Sequence, residues 1–219
     1  ILEDAAEFGL VVNCHGCTLP KGWRRTWPNL LTMEAVKGGE CYRYARDFPE
    51  RAPSHIAILP FTRNAVGPCD YTPGGFSDSN YPHLTTFGFE LALPVVIESG
   101  IMHHMDTPEQ TLGLPGYAVD FLKGIPVAWD DTRYIAGYPG RDVVIARKKG
   151  DLWYIGGING EGHAKELTID LSVIGEAPPA IHVIIDGKTA RNLQEVQIEP
   201  VDGKLTIHLE PFGGFAGTW

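Results

Sequence analysis

The first part of the chain alternates short apolar runs with polar loops rich in glycine and proline. Residues Ile1–Phe8 have the spacing of the end of an amphipathic helix, and Gly9 is placed to stop it. Leu10–Asn13 follows as a short buried strand, and 55–59 (HIAIL) is a second apolar run, a strand candidate that leads into a loop. This order predicts strands alternating with helices, as in parallel βα units.

The same alternation continues further along the chain. Residues 83–92 (HLTTFGFELA) look helical and lead into the strand-like run 94–100 (PVVIESG). A further helix is expected to begin near Asp106–Gln110, with Asp106 or Thr107 as the cap and Pro108 in the first turn.

From about Ile125 the pattern changes to short runs separated by turn signals. Lys149-Gly150, Asp186-Gly187 and Asp202-Gly203 mark turns, and the two Asp-Gly pairs favour tight hairpins. Lys204–Leu209 alternates with period two, so that its three large apolar side chains share one face. The sequence therefore predicts an α/β region over 1–125 and an antiparallel β-sandwich over 126–219.

Composition and charge exclude some classes of partner. The 219 residues include 43% hydrophobic and 21% charged positions, which is normal for a globular protein. A formal net charge of -9 argues against nucleic acid or an anionic membrane surface as a partner, because both need a basic face. No apolar run reaches the length that spans a bilayer.

The start of the chain is unusual for a natural protein. It carries no Met, and its first residues already run from a helix into a strand. No charged and apolar leader precedes them. We therefore expect the chain to be a piece of a longer polypeptide.

Candidate chemistry concentrates in the stretch Asn13–Glu40. It contains His15, the carboxylates Glu34 and Glu40, two adjacent arginines and two tryptophans, in a segment rich in glycine and proline. A polar, aromatic loop at the carboxyl end of a buried strand is where α/β enzymes place their active sites.

These residues form ordered motifs that resemble glycoside hydrolase family 97. The pattern HG-x-x-x-P-x-G-x-x-RT-aromatic-PN comes first, followed by E-x-V-x-G-x-E and then LPFTR-x-x-x-GP-x-DYTPG. Later runs, VVIESG, HMDTPE and VAWDDT, are also similar to that family. The resemblance extends over nearly the whole chain and is carried by His15-Gly16, Pro20, Gly22, Arg25–Asn29, Glu34–Glu40, Leu59–Gly74, 95–100, 104–109 and Val127–Thr132.

The resemblance implies a three-part architecture and a metal. Members have an N-terminal β-sandwich, a (β/α)8 TIM barrel and a C-terminal β-sandwich, so this chain would be the second half of the barrel plus the last sandwich. The two glutamates of E-x-V-x-G-x-E, here Glu34 and Glu40, would lie at a calcium site. Calcium takes six to eight oxygens, so they would supply only part of its shell. On spacing alone, both could instead be solvated loop carboxylates.

The resemblance also implies a mechanism. Glu40, the second glutamate, would be the general acid. Inverting members have His-Glu where this chain has His15-Gly16, so the chain looks like a retaining, α-galactosidase-like member. Retention uses a second carboxylate as nucleophile, about 5–5.5 Å from the acid/base. In the family that nucleophile is an aspartate on the preceding barrel strand, which would lie upstream of Ile1.

Three residues are candidate substrate contacts. Arg25 could hydrogen-bond a sugar hydroxyl or orient a carboxylate. Trp27, like Trp23, could stack on a sugar ring, although large aromatics are often simply packed in a core. His15 could contact the substrate at a strand end or be a hydrogen-bonded structural histidine. Asp70 is expected to fix its loop through an Asx turn rather than to meet substrate.

Two other possible metal sites are weaker. Cys14 and Cys17 have the spacing of a zinc or redox pair, but no second such pair follows. His103, His104 and Asp106 are close in sequence, but on an irregular strand end they are expected to point in different directions.

The favoured interpretation is a fragment of a retaining α-galactosidase-like enzyme, inactive by itself, acting on an oligosaccharide or α-galactoside. Its partner would be the missing N-terminal part of the same polypeptide, and its location the bacterial periplasm or exterior. The alternatives are an α-glucosidase of the same family, a non-catalytic carbohydrate-binding module, and a structural fragment that binds no ligand. A binding module would need an exposed aromatic row on the sandwich, and Trp153, Tyr154 and Trp219 are not in obvious register.

Overall fold

The computed structural model describes residues 1–78, 82–175 and 177–219. Short helices occupy mainly the first part of the chain. They are α1 Leu2–Glu7, α2 Trp23–Thr26, α3 Cys41–Tyr44, α4 Phe48–Ile58, α5 Phe87–Val96, α6 Pro108–Leu112 and α7 Gly116–Gly124, with 3-10 turns at Leu59–Phe61, Asn64–Val66 and Leu171–Ile174.

Strands dominate the second part. They are β1 Val12–Cys14, β2 Leu30–Met33, β3 Asp131–Tyr138, β4 Asp142–Lys149, β5 Leu152–Asn159, β6 Lys165–Asp170, β7 Ile181–Asp186, β8 Leu193–Ile198, β9 Lys204–Leu209 and β10 Gly214–Thr218.

Local signals placed several helix ends correctly. Helix α1 ends at Glu7, and Gly9 follows with the left-handed φ of 65° that glycine adopts without strain. Helix α6 begins after Thr107, whose hydroxyl accepts from the Gln110 backbone N–H while the Gln110 side chain accepts from the Thr107 N–H. Thr107 is therefore the cap, and the alternative cap, Asp106, has a different role.

Two strand predictions were wrong. Residues 55–59 belong mainly to helix α4, in which Phe48, Ala52 and Ile56 are spaced by four residues and buried on one face. The start of 94–100 is the last turn of α5, which is buried on all sides. A short apolar run taken without its flanking turns does not show the helical period, and α5 has no polar face to reveal it, so both runs look like buried strands.

The second part is an antiparallel β-sheet domain, as predicted. Six strands lie in the order β3-β4-β5-β10-β7-β8, and β6 pairs with β9 in a separate two-stranded sheet. Each of these pairs is antiparallel. Apolar side chains from both sheets, such as Val144, Val183 and Ile207, share one core. Their burial explains the period-two pattern of β9.

The Asp-Gly turns differ from each other. Asp202 and Gly203 have φ values of 51° and 72° and form a tight turn closed by hydrogen bonds between Val201 and Lys204. Asp186-Gly187 instead opens a longer loop, closed where the Gly187 N–H donates to the Asn192 carbonyl. The carboxylate of Asp186 accepts hydrogen bonds from the backbone N–H groups of Gly88 and Gly214, which both lie outside its own turn.

Helix α5 joins the two parts of the molecule. It lies against β5 and β10, where a Cβ on Gly156 would be 3.0 Å from the Ala92 carbonyl and one on Gly214 would be 2.6 Å from the Phe89 Cα. Glycines in the sheet thus let the helix approach closely. The Asp186 carboxylate accepts the Gly88 N–H in the first turn of α5, at 2.9 Å.

Parallel pairing in the first part sets up the candidate site. β1 and β2 are parallel, and Met33 at the end of β2 forms a further parallel bridge to Cys69. The carboxyl ends of these segments therefore meet at one edge. Among the described helices, none has the length and apolar character needed to cross a membrane.

Candidate active site

Polar side chains follow each of these parallel segments at the same edge. His15 comes after β1, Glu34 after β2, and Asp70 after the bridge at Cys69. Because parallel strands end together, residues far apart in sequence are brought into one cluster. The structure thus brings His15 and Glu34 together with Asp70.

His15 lies between the two predicted carboxylates and Asp70. Its Nδ1 is 3.6 Å from Glu34 Oε1 and 3.7 Å from Glu40 Oε1. The side chain of Glu34 is 8% exposed and that of Glu40 is 43% exposed. The backbone N–H of Gly16 donates to Glu34 Oε2 at 2.8 Å, so the more buried carboxylate is fixed and the other faces solvent.

A pair of glycines positions the loop that carries Glu40. The Gly39 N–H donates to the Tyr71 carbonyl at 2.7 Å, and a Cβ at Gly39 would lie only 2.1 Å from the Thr72 carbonyl oxygen. Gly38 approaches Tyr71 in the same way. Thr72 has a φ of 59°, which is rare for a β-branched residue. Close backbone contact therefore sets the position of Glu40.

Asp70 is fully buried and holds distant residues, not a local turn. Its Oδ2 accepts from His15 Nε2 at 2.8 Å, from His103 Nδ1 at 2.6 Å and from Asn13 Nδ2 at 2.5 Å. Its Oδ1 accepts from the His103 backbone N–H at 2.9 Å. The expected Asx turn is wrong, because these described hydrogen bonds cross 33 to 57 residues of sequence.

These contacts shift two pKa values. Burial lowers the pKa of His15, but the hydrogen bond and charge of Asp70, together with Glu34 and Glu40, outweigh it, so the pKa is raised. Burial also works to raise the pKa of Asp70, and hydrogen bonds from His103, His15 and Asn13 reverse the effect and lower it. Asp70 is therefore an ionised acceptor facing histidine donors.

The other predicted substrate contacts lie in a different environment. Arg25 is exposed and lines a cavity of about 540 Å³ together with Lys21, Trp23 and Arg24. Trp27 is half-buried beside the helix that carries Arg25, and its N–H donates to the Trp23 carbonyl. The described hydrogen bonds and ion pairs do not link either residue to Glu40, so their roles stay predictions.

The two weaker metal candidates from the sequence are not supported in the form predicted, since His103 groups with His15 and Asp70 rather than with Asp106. Cys14 and Cys17 are free thiols, and burial raises the pKa of Cys14, whereas a reactive pair needs a lowered one. His103 joins Asp70, while Asp106 Oδ2 accepts from the Phe76 N–H. Sequence reasoning considered His103 only as a weak metal candidate and gave no role to Asn13, which lies inside β1 and shares Asp70 with His103.

One group of ligands at the site suits a hard cation. His15, Glu34 and Glu40 each offer an atom, and these atoms all lie within 4.8 Å of one another. Two carboxylates provide the oxygen ligands that calcium prefers, but only part of the number that it takes. The residues present fit an incomplete calcium site.

Family models match both ends of the chain. One described as "Glycoside hydrolase 97" matches residues 1–36, and one described as "Glycosyl-hydrolase 97 C-terminal, oligomerisation" matches residues 128–218. The first covers β1 with His15 and Glu34, and the second covers most of the antiparallel sheet domain.

Curated relatives extend over nearly the whole chain. A protein of Streptomyces bingchenggensis named "Probable retaining alpha-galactosidase" is 38% identical over 99% of this chain and 32% of its own length. The "Retaining alpha-galactosidase" of Bacteroides thetaiotaomicron is 34% identical over 98% of this chain and 34% of its own length. The chain therefore spans about a third of these relatives.

Solved structures show the same fold. A "beta-arabinopyranosidase" crystal structure has a TM-score of 0.91 at 30% identity, over 100% of this chain and 36% of that one. A family 97 enzyme from Pseudoalteromonas sp. strain K8, in complex with panose, has a TM-score of 0.87 at 30% identity, over 99% of this chain and 36% of its own. The fold and the family thus agree with the motifs in the sequence.

Proposed function

We propose that the chain is part of a retaining α-glycosidase that removes terminal α-linked galactose. The chain belongs to glycoside hydrolase family 97 and corresponds to its C-terminal portion. The observation that carries this proposal is the Glu34–Glu40 pair beside His15-Gly16, at one edge of parallel segments. The names of the two curated relatives support the retaining, galactose-specific choice.

The architecture that goes with this function is the second half of a (β/α)8 barrel, over 1–125, and a C-terminal β-sandwich, over 126–219. The parallel β1–β2 pair and the Met33–Cys69 bridge support the barrel half. The two sheets that share a core support the sandwich. The rest of the barrel would come from the N-terminal part of the same polypeptide.

Calcium is the proposed cofactor, held in part by Glu34 and Glu40. When bound, it supplies positive charge that stabilises negative charge near the reacting centre. The chain's own residues define the geometry: the Gly16 N–H fixes Glu34, and the Gly39–Tyr71 hydrogen bond holds the Glu40 loop. The remaining ligands would come from outside this chain.

Glu40 is the proposed general acid and base. It is the more exposed of the two carboxylates, which lets it reach a substrate oxygen. In its protonated form it donates to the departing glycosidic oxygen, and as the carboxylate it then takes a proton from the attacking water. Gly16 has no side chain and cannot act as a base. The nucleophile is assigned to no residue here and would be an aspartate upstream of Ile1.

Substrate contacts complete the proposal. His15, beside Glu40, would hydrogen-bond the sugar, while Arg25 and Trp27 would contribute only if the complete barrel brings substrate to them. The proposed location is the bacterial periplasm or exterior, where oligosaccharides and α-galactosides are met before uptake.

A β-arabinopyranoside is the second candidate substrate, favoured by the structural match with a TM-score of 0.91. A β-L-arabinopyranoside has the ring configuration of an α-D-galactoside without its hydroxymethyl group. The same acid/base and retaining route would serve both. The substrate of an α-glucosidase of the same family differs from an α-galactoside in the configuration at C4 of the sugar.

Proton NMR of the first product formed by the full-length parent tests the proposal. Retention releases the α-anomer of galactose from an α-galactoside before mutarotation mixes the anomers. Early appearance of the β-anomer would overturn the retaining assignment. Faster cleavage of an α-glucoside or a β-L-arabinopyranoside would overturn the choice of sugar.

A further inference from the structure

The described hydrogen bonds single out Asp70 as the centre of the site, although no role is assigned to it by the acid/base and calcium chemistry. It is 0% exposed, and its Oδ2 accepts from three side chains. Its Oδ1 accepts from the backbone N–H of His103, so the carboxylate contacts both the backbone and the ring of that residue. Here its side-chain partners are two imidazoles and one amide that face the proposed sugar site.

We propose that Asp70 is a positioning residue that orients the His15 and His103 imidazoles and fixes them in opposite tautomers. The inference rests on the proposed function only where it assigns the imidazoles to a bound sugar. The tautomers themselves follow from the hydrogen bonds. A carboxylate only accepts hydrogen bonds, so the nitrogen facing it must carry the proton. That nitrogen is Nε2 in His15 and Nδ1 in His103.

The two rings are therefore presented differently to a ligand. With its proton on Nε2, neutral His15 keeps Nδ1 as the atom facing Glu34 and Glu40. With its proton on Nδ1, neutral His103 has Nε2 as an acceptor, and its side chain is 60% exposed. The ring centroids are 5.6 Å apart in an edge-on arrangement. His103 Nε2 is thus placed to accept from a hydroxyl of the sugar bound beside His15.

A third donor makes this arrangement rigid. Asn13 Nδ2 donates to the same Asp70 oxygen and lies 3.2 Å from His103 Nδ1. The distances of 2.6 and 2.8 Å from the imidazole nitrogens to Oδ2 are those of charge-assisted hydrogen bonds. These distances are shorter than the separation of two atoms that ligate one zinc ion. We therefore interpret His15, Asp70 and His103 as a hydrogen-bonded unit and not as a zinc site.

Nitrogen-15 NMR of histidine in the 219-residue chain tests the tautomers directly. At a pH where both rings are neutral, we expect His15 protonated at Nε2 and His103 at Nδ1. Averaged signals for His103, or protonation at Nε2, would overturn the proposal. Asp70→Asn should abolish the Nδ1-protonated signal of His103. Asp186→Asn is the control, because it also replaces a carboxylate that accepts hydrogen bonds from residues distant in sequence, and it should leave both histidines unchanged.

Kinetics of the full-length parent distinguish positioning from a purely structural role. Asp70→Asn should lower kcat/KM by about 10-fold to 100-fold, as expected for losing hydrogen bonds to a charged group. His103→Ala should act mainly by raising KM. In a parent that already carries His15→Ala and His103→Ala, Asp70→Asn should add less than about 3-fold, because coupled residues are not additive.

The outcomes separate this inference from the proposed function. An equal loss from Asp70→Asn with and without the histidines would show that Asp70 only supports the fold, and would overturn the inference. A parent that cleaves a different sugar would change the proposed substrate, but the tautomer measurement would still decide the role of Asp70. If Asp70→Asn does not fold, the spectrum of the unaltered chain remains decisive.

Discussion

Glu34 and Glu40 are six residues apart in sequence, and their carboxylate oxygens lie within 4.8 Å of each other beside His15. Two like charges at this distance repel unless a cation is present, so the pair should bind calcium. We expect weak binding, at about 0.1–1 mM, the weak end of the range for protein calcium sites, because two carboxylates supply only part of the ligand shell. Glu34→Gln with Glu40→Gln should abolish it in titration calorimetry, while Glu50→Gln on the exposed face of α4 should not. Unchanged binding by the double variant would contradict the calcium proposal.

Glu40→Gln in the full-length parent should separate substrates by leaving group. General acid catalysis contributes about 10²- to 10⁴-fold, and an activated aryl glycoside needs little of it. The rate on a natural α-galactoside should therefore fall far more than the rate on a p-nitrophenyl α-galactoside. Comparing kcat/KM for the two substrates is the measurement. An equal loss on both would remove Glu40 from the acid role.

The 219-residue chain by itself should not hydrolyse an α-galactoside measurably. In the proposed mechanism the nucleophile lies outside this chain, and losing such a group typically costs many powers of ten. The assay is release of p-nitrophenol by a homogeneous preparation, with the full-length parent as the positive control. Sustained turnover by the chain would mean that the nucleophile is present among its own residues.

Gly39→Ala should destabilise the chain by about 1–3 kcal/mol, as overpacking does in a rigid environment. The new methyl would meet the Thr72 carbonyl at 2.1 Å, and backbone cannot move aside as a flexible side chain can. Gly116→Ala, at the start of α7 with open space around it, is the control and should be near neutral. Denaturant unfolding of both variants provides the comparison. Equal stability of the two would show that the Glu40 loop is loosely held.

Asp106 should make stability depend on pH. Burial, before any other cause, raises the pKa of Asp106 from 3.8 to about 6, and its Oδ1 is buried without a described hydrogen-bond partner. The folded state then holds the proton more tightly, so the contribution of Asp106 to stability falls as pH rises from about 4 to about 6. Asp106→Asn should gain about 1 kcal/mol at pH 7.5 relative to pH 4, a discounted figure because the carboxyl is partly solvated.

Thermal unfolding of Asp106→Asn and the unaltered chain at both pH values gives the difference. Asp120→Asn, on the exposed side of α7, is the control, because it keeps Asp106 and should follow the same pH dependence as the unaltered chain. If the difference in stability between Asp106→Asn and the unaltered chain is the same at both pH values, the raised pKa of Asp106 does not cause a pH-dependent loss of stability.

Much of the fold followed from local chemistry. Gly9 ended α1, Thr107 capped α6, and the alternation of Lys204–Leu209 placed β9. These signals are local, because caps and period-two alternation depend on neighbouring residues. The run 55–59 was misjudged because the helical period becomes visible only when Phe48 and Ala52 are included.

The candidate site was predictable only in part. His15, Glu34 and Glu40 lie in one stretch, Asn13–Glu40, in two motifs that resemble a known family, so they could be assigned to one site. Asp70 and His103 join them through a single parallel bridge and a hydrogen bond across 33 residues, which leave no periodic pattern in the sequence. For Asp70 the available signal was its place just after the short segment at Cys69, and for His103 there was no such signal.

Helix α5 restricts how the two parts of the molecule can change in sequence independently of each other. Because its buried side chains face both the α/β core and the β5–β10 surface, exchange of the second part between related genes would have to preserve both surfaces at once. A recombination point at residue 125 would separate α5 from the glycines that fit it. Natural or laboratory chimeras should therefore tolerate a crossover on either side of α5 poorly unless the residues that face the helix are exchanged with it.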